Sequence, residues 1–567
     1  MAKIIECVPN FSEGRDKKKI QEITNLINSF RKVRVLDVDM GFNTNRTVVT
    51  IAGEPEAVLQ AVFYAIKLAS EIIDMSQHTG THPRMGSTDV CPIIPINNIS
   101  IDECIDLSKA LANKVGDELG IPVYLYEFSA KNKKRKNLAD IRSGEYEGLP
   151  QKLKNKKWKP DYGPTDFNKK TGAIVIGCRK VLIAYNICLN TISKRLAMDI
   201  AFEIREIGRS KRKPNINSNN LLDGTILRDH NGKAIKTKGI FKDLKAIGWY
   251  VDEYKKAQIS INFIDYKVSS IHAVFDKVCE LAIERGVRVT GSELVGLVPL
   301  DAIIDAGRYF LQKQDMPLSV PVDDIIESAI NSLGLNDVAI FEPKTKIIEY
   351  SIKKESSSLI AMNLENFIDE VSRPTPAPGG GSMSALAGSL SAALLSMVSN
   401  LSYNSKLSIK KKENMTINGL KAQRLKNDLN ILIDQDTKAF NKIIESMKMP
   451  SSTLEQKKNK KSSIVQAYKY AIETPFDILK LSYESLVLCR ELISNGNENS
   501  VSDAGVASEL SYAAIRGAYL NIVINLEDFE GSKTFSKNIL IKSKKIMDES
   551  RTILDSNFKN TLRIIKS

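Results

Sequence analysis

Residues 74–92, D-M-S-Q-H-T-G-T-H-P-R-M-G-S-T-D-V-C-P, crowd more reactive side chains into one loop than any other part of the chain, and they join a long helix to a strand. Ahead of the loop, over residues 55–73, Val58, Ala61, Val62, Ala65, Ile66 and Ala69 fall on one helical face, with Pro55 in the first turn, where a proline is tolerated. Behind it, residues 90–96 are strand-like. Further out, residues 4–8, 33–39 and 47–52 read as strands, and residues 17–30 as a helix with Ile20, Ile23, Ile27 and Phe30 on one face. Residues 102–119 are helical in pattern and 123–126 form a strand. The order strand, helix, strand, strand, helix, strand is that of a ferredoxin-like unit, with an extra helix and strand.

A second round follows a basic, loop-like region at 131–170. Strands at 173–176 and 180–187 lead into a helix with Ile192, Leu196, Ile200 and Ile204 at steps of four, then a strand pair at 247–252 and 257–263, a helix at 270–285 and a strand near 288–290. Residues 209–245, rich in Asn, Gly and Lys, read as a solvated insertion or mobile loop. Beyond a serine-rich linker the pattern is nearly all helical. The chain is therefore expected to be multidomain, with two α+β ferredoxin-like subdomains at 1–178 and 179–350, a linker at 351–360 and an all-α helical-bundle domain at 361–567. A cleft between two such subdomains is the usual place for function. Residues 384–401 lack charge, but Ser384, Ser389, Ser391, Ser396 and Ser399 dilute their apolarity, so a close-packed central helix is expected and not a membrane span.

At 567 residues the chain is too long for one core. The N-terminus reads directly into a strand and turn, so no secretion signal is expected. Seven cysteines, scattered singly with no C-x-x-C pair, suggest neither a disulfide framework nor a zinc site and fit a reducing cytoplasm. A net charge of +14 favours an acidic partner: nucleic acid, an anionic membrane or a polycarboxylate small molecule. Binding RNA would call for aromatic residues on the sheet, and no strand alternating Phe and Tyr between basic residues appears.

Among the four histidines, His82 is the first candidate for a general acid/base, since imidazole both takes and gives a proton near neutral pH. His78 is the alternative, and either could simply be a polar loop residue that caps the preceding helix. In the helical part, Asp436 fills the gap in a stripe of Leu429, Leu432, Ile433, Phe440 and Ile443, so an acid points into the bundle, where desolvation raises its pKa. The alternative is a structural acid paired with a buried arginine. Asp434 falls on the far side and is expected in solvent. No histidine and only Cys489 occur beyond residue 350, which excludes a zinc deaminase of the H-x-E and P-C-x-x-C type there. The elbow Gly379-Gly380-Gly381-Ser382 offers backbone N–H groups at a helix N-terminus, suited to a carboxylate or phosphate, or is a simple hinge.

Taken in chain order, E-C-V-P-N-F-S-E-G, D-V-D-M-G-F-N-T-N-R-T, the 74–92 loop, I-R-S-G-E-Y-E and V-G-L-V-P resemble the formiminotransferase part of the formiminotransferase-cyclodeaminase family. P-A-P-G-G-G-S, D-Q-D-T-K-A-F and the helix ending N-I-V-I-N resemble its cyclodeaminase part. The likeness covers nearly the whole chain. It implies a folate enzyme of histidine degradation, with a formiminotransferase in the two α+β subdomains and a cyclodeaminase in the helical domain. The first moves the formimino group from N-formimino-L-glutamate to N5 of tetrahydrofolate. The second closes the ring to 5,10-methenyltetrahydrofolate and releases ammonia. By resemblance, His82 is the transferase acid/base and Asp436 serves the cyclodeaminase. Gly163, Pro164, Thr165, Asp166, Phe167, Asn168, Lys169, Lys170, Thr171 and Gly172 align with the family's folate-binding loop. Asp39, Asn45 and Arg84 are further substrate-site candidates from their loop positions. The implied co-substrate is a polyglutamylated tetrahydrofolate, with no metal, no nucleic acid and no membrane. The implied assembly is a homo-oligomer, a ring of dimers such as an octamer. A formylglutamate donor, or activity in only one half, are the alternatives. An insertion at 211–245 departs from the family's shorter members.

Overall fold

The computed structural model describes residues 3–218, 221–352, 358–404 and 407–567, so residues 353–357 of the expected linker lie outside the described residues. The chain forms two compact units, Met1–Ala306 with Ala329–Lys354, and Gly307–Ser328 with Glu355–Ser567. Its elements begin with β1 (Ile4–Cys7), β2 (Asn10–Phe11), α1 (Lys17–Asn28), β3 (Val33–Gly41), β4 (Arg46–Gly53), α2 (Pro55–Ile72), β5 (Thr88–Asn97), α3 (Ile101–Leu119) and β6 (Val123–Glu127). Then come α4 (Leu138–Arg142), α5 (Leu149–Lys154), β7 (Ile174–Cys178), β8 (Ile183–Leu189) and α6 (Lys194–Ile204). Short strands β9 (Arg209–Ser210), β10 (Arg212–Lys213), β11 (Thr225–Ile226) and β12 (Lys236–Thr237) precede β13 (Leu244–Val251), β14 (Lys256–Phe263), α7 (Ile271–Glu284) and β15 (Val289–Val295). Helices α8 (Leu300–Lys313), α9 (Val322–Leu333), α10 (Pro343–Lys346) and α11 (Ile348–Ile352) follow. The chain ends with α12 (Leu364–Ser372), α13 (Gly380–Ser402), α14 (Ile409–Met447), α15 (Leu454–Asn495), α16 (Val501–Glu527) and α17 (Lys533–Ile565).

The first sheet runs β3, β4, then β1 and β2 sharing one position, then β5, β7 and β6. Helices α1, α2 and α3 cover one face, bringing Ile23, Val58, Val62 and Val115 onto Ile5, Ile51, Ile93 and Ile176. Two expectations change here. Strand β7, placed by its sequence at the head of the second round, instead completes the first sheet, pairing in parallel with β5 and β6. Its five residues, I-V-I-G-C, are all buried, as suits a parallel strand covered on both faces. The region at 131–170 is not a loop: α4 and α5 pack Ile141, Leu149 and Leu153 onto the other face of the sheet, against Val90, Tyr124, Tyr126 and Val175.

The second sheet is antiparallel, in the order β13, β14, β8, β15, with α6 against β13 and β14. The insertion is more ordered than its composition implies. Strand β9 pairs with β12 and β10 with β11, and Arg209 anchors the base through Asp199 at 2.8 Å and Glu203 at 2.9 Å.

In the helical unit α13 is central and packs among α14, α15 and α16. Its small residues do the work that large ones do elsewhere. Ser391 donates to the Ala507 carbonyl at 2.7 Å and lies 2.6 Å from the Ser511 hydroxyl, while Ser399 donates to the Met415 carbonyl at 2.5 Å. These two buried hydroxyls thus find partners outside α13, which offsets the cost of burying them in an apolar bundle core. Pro475 interrupts α15 and cannot donate to the Ala471 carbonyl one turn back; Asn525 of α16 donates there instead, at 2.8 Å.

A Cβ on Gly388 of α13 would lie 2.6 Å from the Ser482 hydroxyl and 3.2 Å from a Leu429 methyl. Gly388→Leu is therefore expected to destabilise the bundle by about 1–3 kcal/mol through overpacking. A lower urea midpoint of the far-ultraviolet helical signal would register this.

Candidate active sites

In the first unit the 74–92 loop is held by three other motifs. Arg84 is buried and its guanidinium is fully engaged, with Glu147 at 2.6 Å, Glu145 at 3.1 Å and His78 Nδ1 at 3.2 Å. Asp89 has no exposed surface; its carboxylate accepts from the Met85 N–H at 2.9 Å and is ion-paired with Arg142. The segment I-R-S-G-E-Y-E thus supplies Arg142, Glu145 and Glu147, and three ion-pair contacts, two to Arg84 and one of opposite polarity to Asp89, lock it to H-P-R-M-G-S-T-D.

The two histidines part company. His78 Nε2–H donates to the Asn45 carbonyl at 2.8 Å, and its Nδ1 accepts from Arg84. Both ring nitrogens are spent on the scaffold. His82 Nδ1–H donates to the Pro83 carbonyl at 2.7 Å, which leaves the lone pair on Nε2. That nitrogen faces Arg46, whose Nη1 donates to it at 2.8 Å. Burial, and then the Arg46 charge, hold His82 below the ordinary histidine pKa, so its imidazole is neutral at pH 7.

Arg46 lies in the motif D-V-D-M-G-F-N-T-N-R-T, whose sequence gives it no role. Its Nη2 donates to Asn10 and its Nε is buried without a partner, while burial pushes its pKa down to about 10. Asn45, at φ 48°, accepts from the Gly14 N–H at 2.9 Å and donates to the Thr79 carbonyl at 3.0 Å, so it ties the P-N-F-S-E-G loop to the histidine loop. Asp39 is exposed on β3, close enough for its charge to act on Arg46.

Residues 163–172 reach the same loop. Gly86 pairs with Gly172, the Ser87 N–H donates to the Thr171 carbonyl at 2.9 Å, and the Met75 N–H donates to that of Lys170 at 2.9 Å. Gly172, at φ 68°, is needed because a Cβ there would lie 2.1 Å from the Met85 carbonyl. Phe167 packs against Tyr146, and Lys169 and Lys170 remain exposed. Of the residues named from sequence, His82, Asp39 and, in the 163–172 segment, Lys169 and Lys170 keep groups open to solvent; Asn45 and Arg84 are absorbed in hydrogen bonds that hold the loop.

In the helical unit, the Asp436 carboxylate lies directly against the N-terminus of α13. It accepts from the Ser382 hydroxyl at 3.1 Å and from the Ser382 backbone N–H, and a Cβ on Gly381 would be 2.1 Å from it. The anion suited to that elbow is the chain's own. Burial raises the Asp436 pKa, partly offset by the Ser382 hydrogen bonds. Asn521 of α16 closes the third side, next to Gly380. Asp434 is not left to solvent as expected: it accepts the Leu359 N–H at 2.7 Å. Among the described residues no cluster of three or more His, Cys, Asp or Glu side chains is placed to hold a metal ion.

Comparison with known proteins follows the same division. Residues 4–179 match the family described as the formiminotransferase domain, N-terminal subdomain; residues 184–353 match the formiminotransferase domain; and residues 363–544 match formiminotransferase-cyclodeaminase. The chain is 38% identical over 536 residues to the formimidoyltransferase-cyclodeaminase of Gallus gallus, which covers 94% of each chain. It is 38% identical over 315 residues to the glutamate formimidoyltransferase of Streptococcus pyogenes serotype M1, covering 56% of this chain and 95% of that one. The methenyltetrahydrofolate cyclohydrolase of Methylorubrum extorquens is 32% identical over 167 residues, 30% of this chain and 80% of that one. With the three family patterns in sequence along one chain and a relative matched almost end to end, the protein belongs to the formiminotransferase-cyclodeaminase family.

Proposed function

We propose that the two units carry two successive reactions on one folate. The protein is a bifunctional folate enzyme of histidine degradation: it transfers the formimino group of N-formimino-L-glutamate to tetrahydrofolate, then cyclises the product to 5,10-methenyltetrahydrofolate with release of ammonia. Residues 1–178 and 179–350 form the transferase and 361–567 the cyclodeaminase. A ferredoxin-like reading of the two subdomains is supported by their shared order, in which the second, third, first and fourth principal strands lie side by side.

The observation that carries the transferase assignment is the His82 imidazole, pinned through Nδ1 with its basic Nε2 turned to Arg46. In transfer, N5 of tetrahydrofolate attacks the formimino carbon. Nε2 takes the N5 proton and delivers it to the glutamate nitrogen as the C–N bond to glutamate breaks. Arg46 covers Nε2 in the resting site. With Asn10 as its other partner and Nε unpaired, it is free to turn onto an incoming carboxylate and so uncover the base as substrate arrives. The 163–172 loop holds the folate beside it, with Asp39 on the far wall. In ring closure, N10 attacks the same carbon of the protonated formimino group; Asp436, its pKa raised by burial, accepts the N10 proton and returns it to the resulting amino nitrogen, which departs as ammonia and leaves the methenyl cation. A homo-oligomer built from dimers is supported by the exposed Leu390, Leu401, Leu520 and Ile524 on α13 and α16. A cytoplasmic location fits seven cysteines that are all free thiols.

Mixing protein, tetrahydrofolate and formiminoglutamate should yield the methenyl absorbance together with ammonia. His82→Ala is expected to slow transfer by about 10²–10⁴-fold while supplied 5-formiminotetrahydrofolate still closes, and Asp436→Asn to do the reverse. Loss of both activities in either folded variant would refute this division of labour.

Arg46→Gln removes a cation that disfavours imidazolium. The His82 pKa should therefore rise, and the acid limb of transferase kcat/KM should move to higher pH. A limb that stayed in place would show that Arg46 does not act on His82.

A further inference from the structure

The motif N-I-V-I-N near the end of α16 begins with an asparagine that the proton transfers of ring closure leave unused. Ser384 of α13 donates to the Gly380 carbonyl at 2.7 Å, and a Cβ on Gly517 of α16 would lie 2.3 Å from that Ser384 hydroxyl. Gly517 therefore lets α16 close onto the elbow. Asn521, four residues further on, shares the same face of α16 and meets the elbow there. A Cβ on Gly380 would be 3.3 Å from its Nδ2 and 3.8 Å from its Oδ1, while one on the next residue, Gly381, would be 2.1 Å from the Asp436 carboxylate. An amide from α16 and a carboxylate from α14 thus stand against successive residues of one helix end.

The amide is oriented by its own helix. Nδ2 donates to the Gly517 carbonyl at 2.8 Å, so Oδ1 is the open end, and among the described residues nothing donates to it. Asp436 has taken the hydroxyl and N–H of Ser382, and no charged side chain is close enough to act on its carboxyl. The transferase site is different, since Arg46 and Arg142 both bring positive charge to bear on His82. The two side chains that flank the elbow are therefore both acceptors, and one carries a charge with no counter-ion among the described residues. A largely buried carboxylate in that state is costly until a cation arrives. The pair calls for a small planar cation that donates more than one hydrogen bond.

We propose that Asn521 is a specificity-determining residue of the cyclodeaminase: its Oδ1 accepts one N–H of the protonated formimino nitrogen while the Asp436 carboxylate faces the other, so the site takes an amidinium and rejects an N5-formyl group. The inference rests on the ring-closure reading above. In the protonated N5-formimino group the leaving nitrogen has two N–H donors and a share of the positive charge. In an N5-formyl group the same position is a carbonyl oxygen, which would meet the Asn521 oxygen lone pair to lone pair and leave both unpaired. Asn521 takes no proton itself. It holds the leaving nitrogen beside the carboxyl that delivers one.

The test measures the KM for closure of 5-formiminotetrahydrofolate and the Ki of 5-formyltetrahydrofolate as a competitor, in the wild-type protein, Asn521→Leu and Asn521→Asp. Asn521→Leu keeps the shape and removes the acceptor: the formimino KM should rise roughly tenfold or more while the formyl Ki stays level or falls, so the preference collapses. Asn521→Asp keeps an acceptor and should keep the preference. Transfer of the formimino group to tetrahydrofolate and the urea midpoint of the helical signal should match wild type in both; if leucine lowers the midpoint, Asn521→Ala, which only shortens the side chain, takes its place in the comparison. An unchanged ratio of formyl Ki to formimino KM in a folded variant without the acceptor, or a parallel rise of both constants, would overturn the proposal. Failure of the wild type to close 5-formiminotetrahydrofolate at all would instead overturn the ring-closure reading.

Discussion

The first unit depends on burying the Asp89 carboxylate. A carboxylate with no exposed surface is tolerated only when its lone pairs are taken, and here the Met85 N–H and the Arg142 guanidinium take them. Met85 and Asp89 lie in the histidine loop, Arg142 at the end of α4. The pair therefore fixes where the loop turns, and the turn fixes where the His82 ring is carried. Arg84 repeats the device with the sign reversed, a buried cation closed by Glu145 and Glu147. Because these side chains are committed to each other, the loop is rigid before substrate arrives, and Gly86 and Gly172 can bring the 163–172 segment onto it backbone to backbone.

The helical unit solves a different problem. On the proposed cyclodeaminase role its acid, Asp436, lies against a helix N-terminus and has still to be basic enough to move a proton. Approach is made possible by Gly381, where a Cβ would displace the carboxylate, and by small side chains along α13 that let its neighbours close in. The N-terminal N–H and Ser382 hydroxyl favour the ionised form, burial disfavours it, and burial is the larger effect. The same neighbourhood explains both asparagines of N-I-V-I-N: Asn521 stands against the elbow, and Asn525 fills the carbonyl that Pro475 leaves open.

Both sites thus use protons and burial as their main instruments. One lowers the pKa of an imidazole so that it is a free base; the other raises that of a carboxyl so that it holds a proton more readily. Under the proposed roles, the same C–N chemistry, applied first to a glutamate nitrogen and then to ammonia, needs a proton carried over a short distance in each case.

Much of this was legible in the chain itself. Helical and strand periods marked most elements, and the stripe from Leu429 to Ile443 singled out Asp436 against Asp434, because which face of a helix a residue occupies follows from its spacing. The motifs named the histidine loop and the 163–172 segment. What the tertiary structure alone decided are partnerships between residues far apart in sequence: Arg46 on His82, Arg142 on Asp89, Asn525 on the carbonyl behind Pro475. Local spacing carries no information about which charge will meet which across a fold. It also cannot tell a core parallel strand from the start of a new subdomain, as with β7, or a solvated loop from one whose backbone pairs with itself, as in the insertion, since both depend on partners that only folding brings within hydrogen-bonding reach.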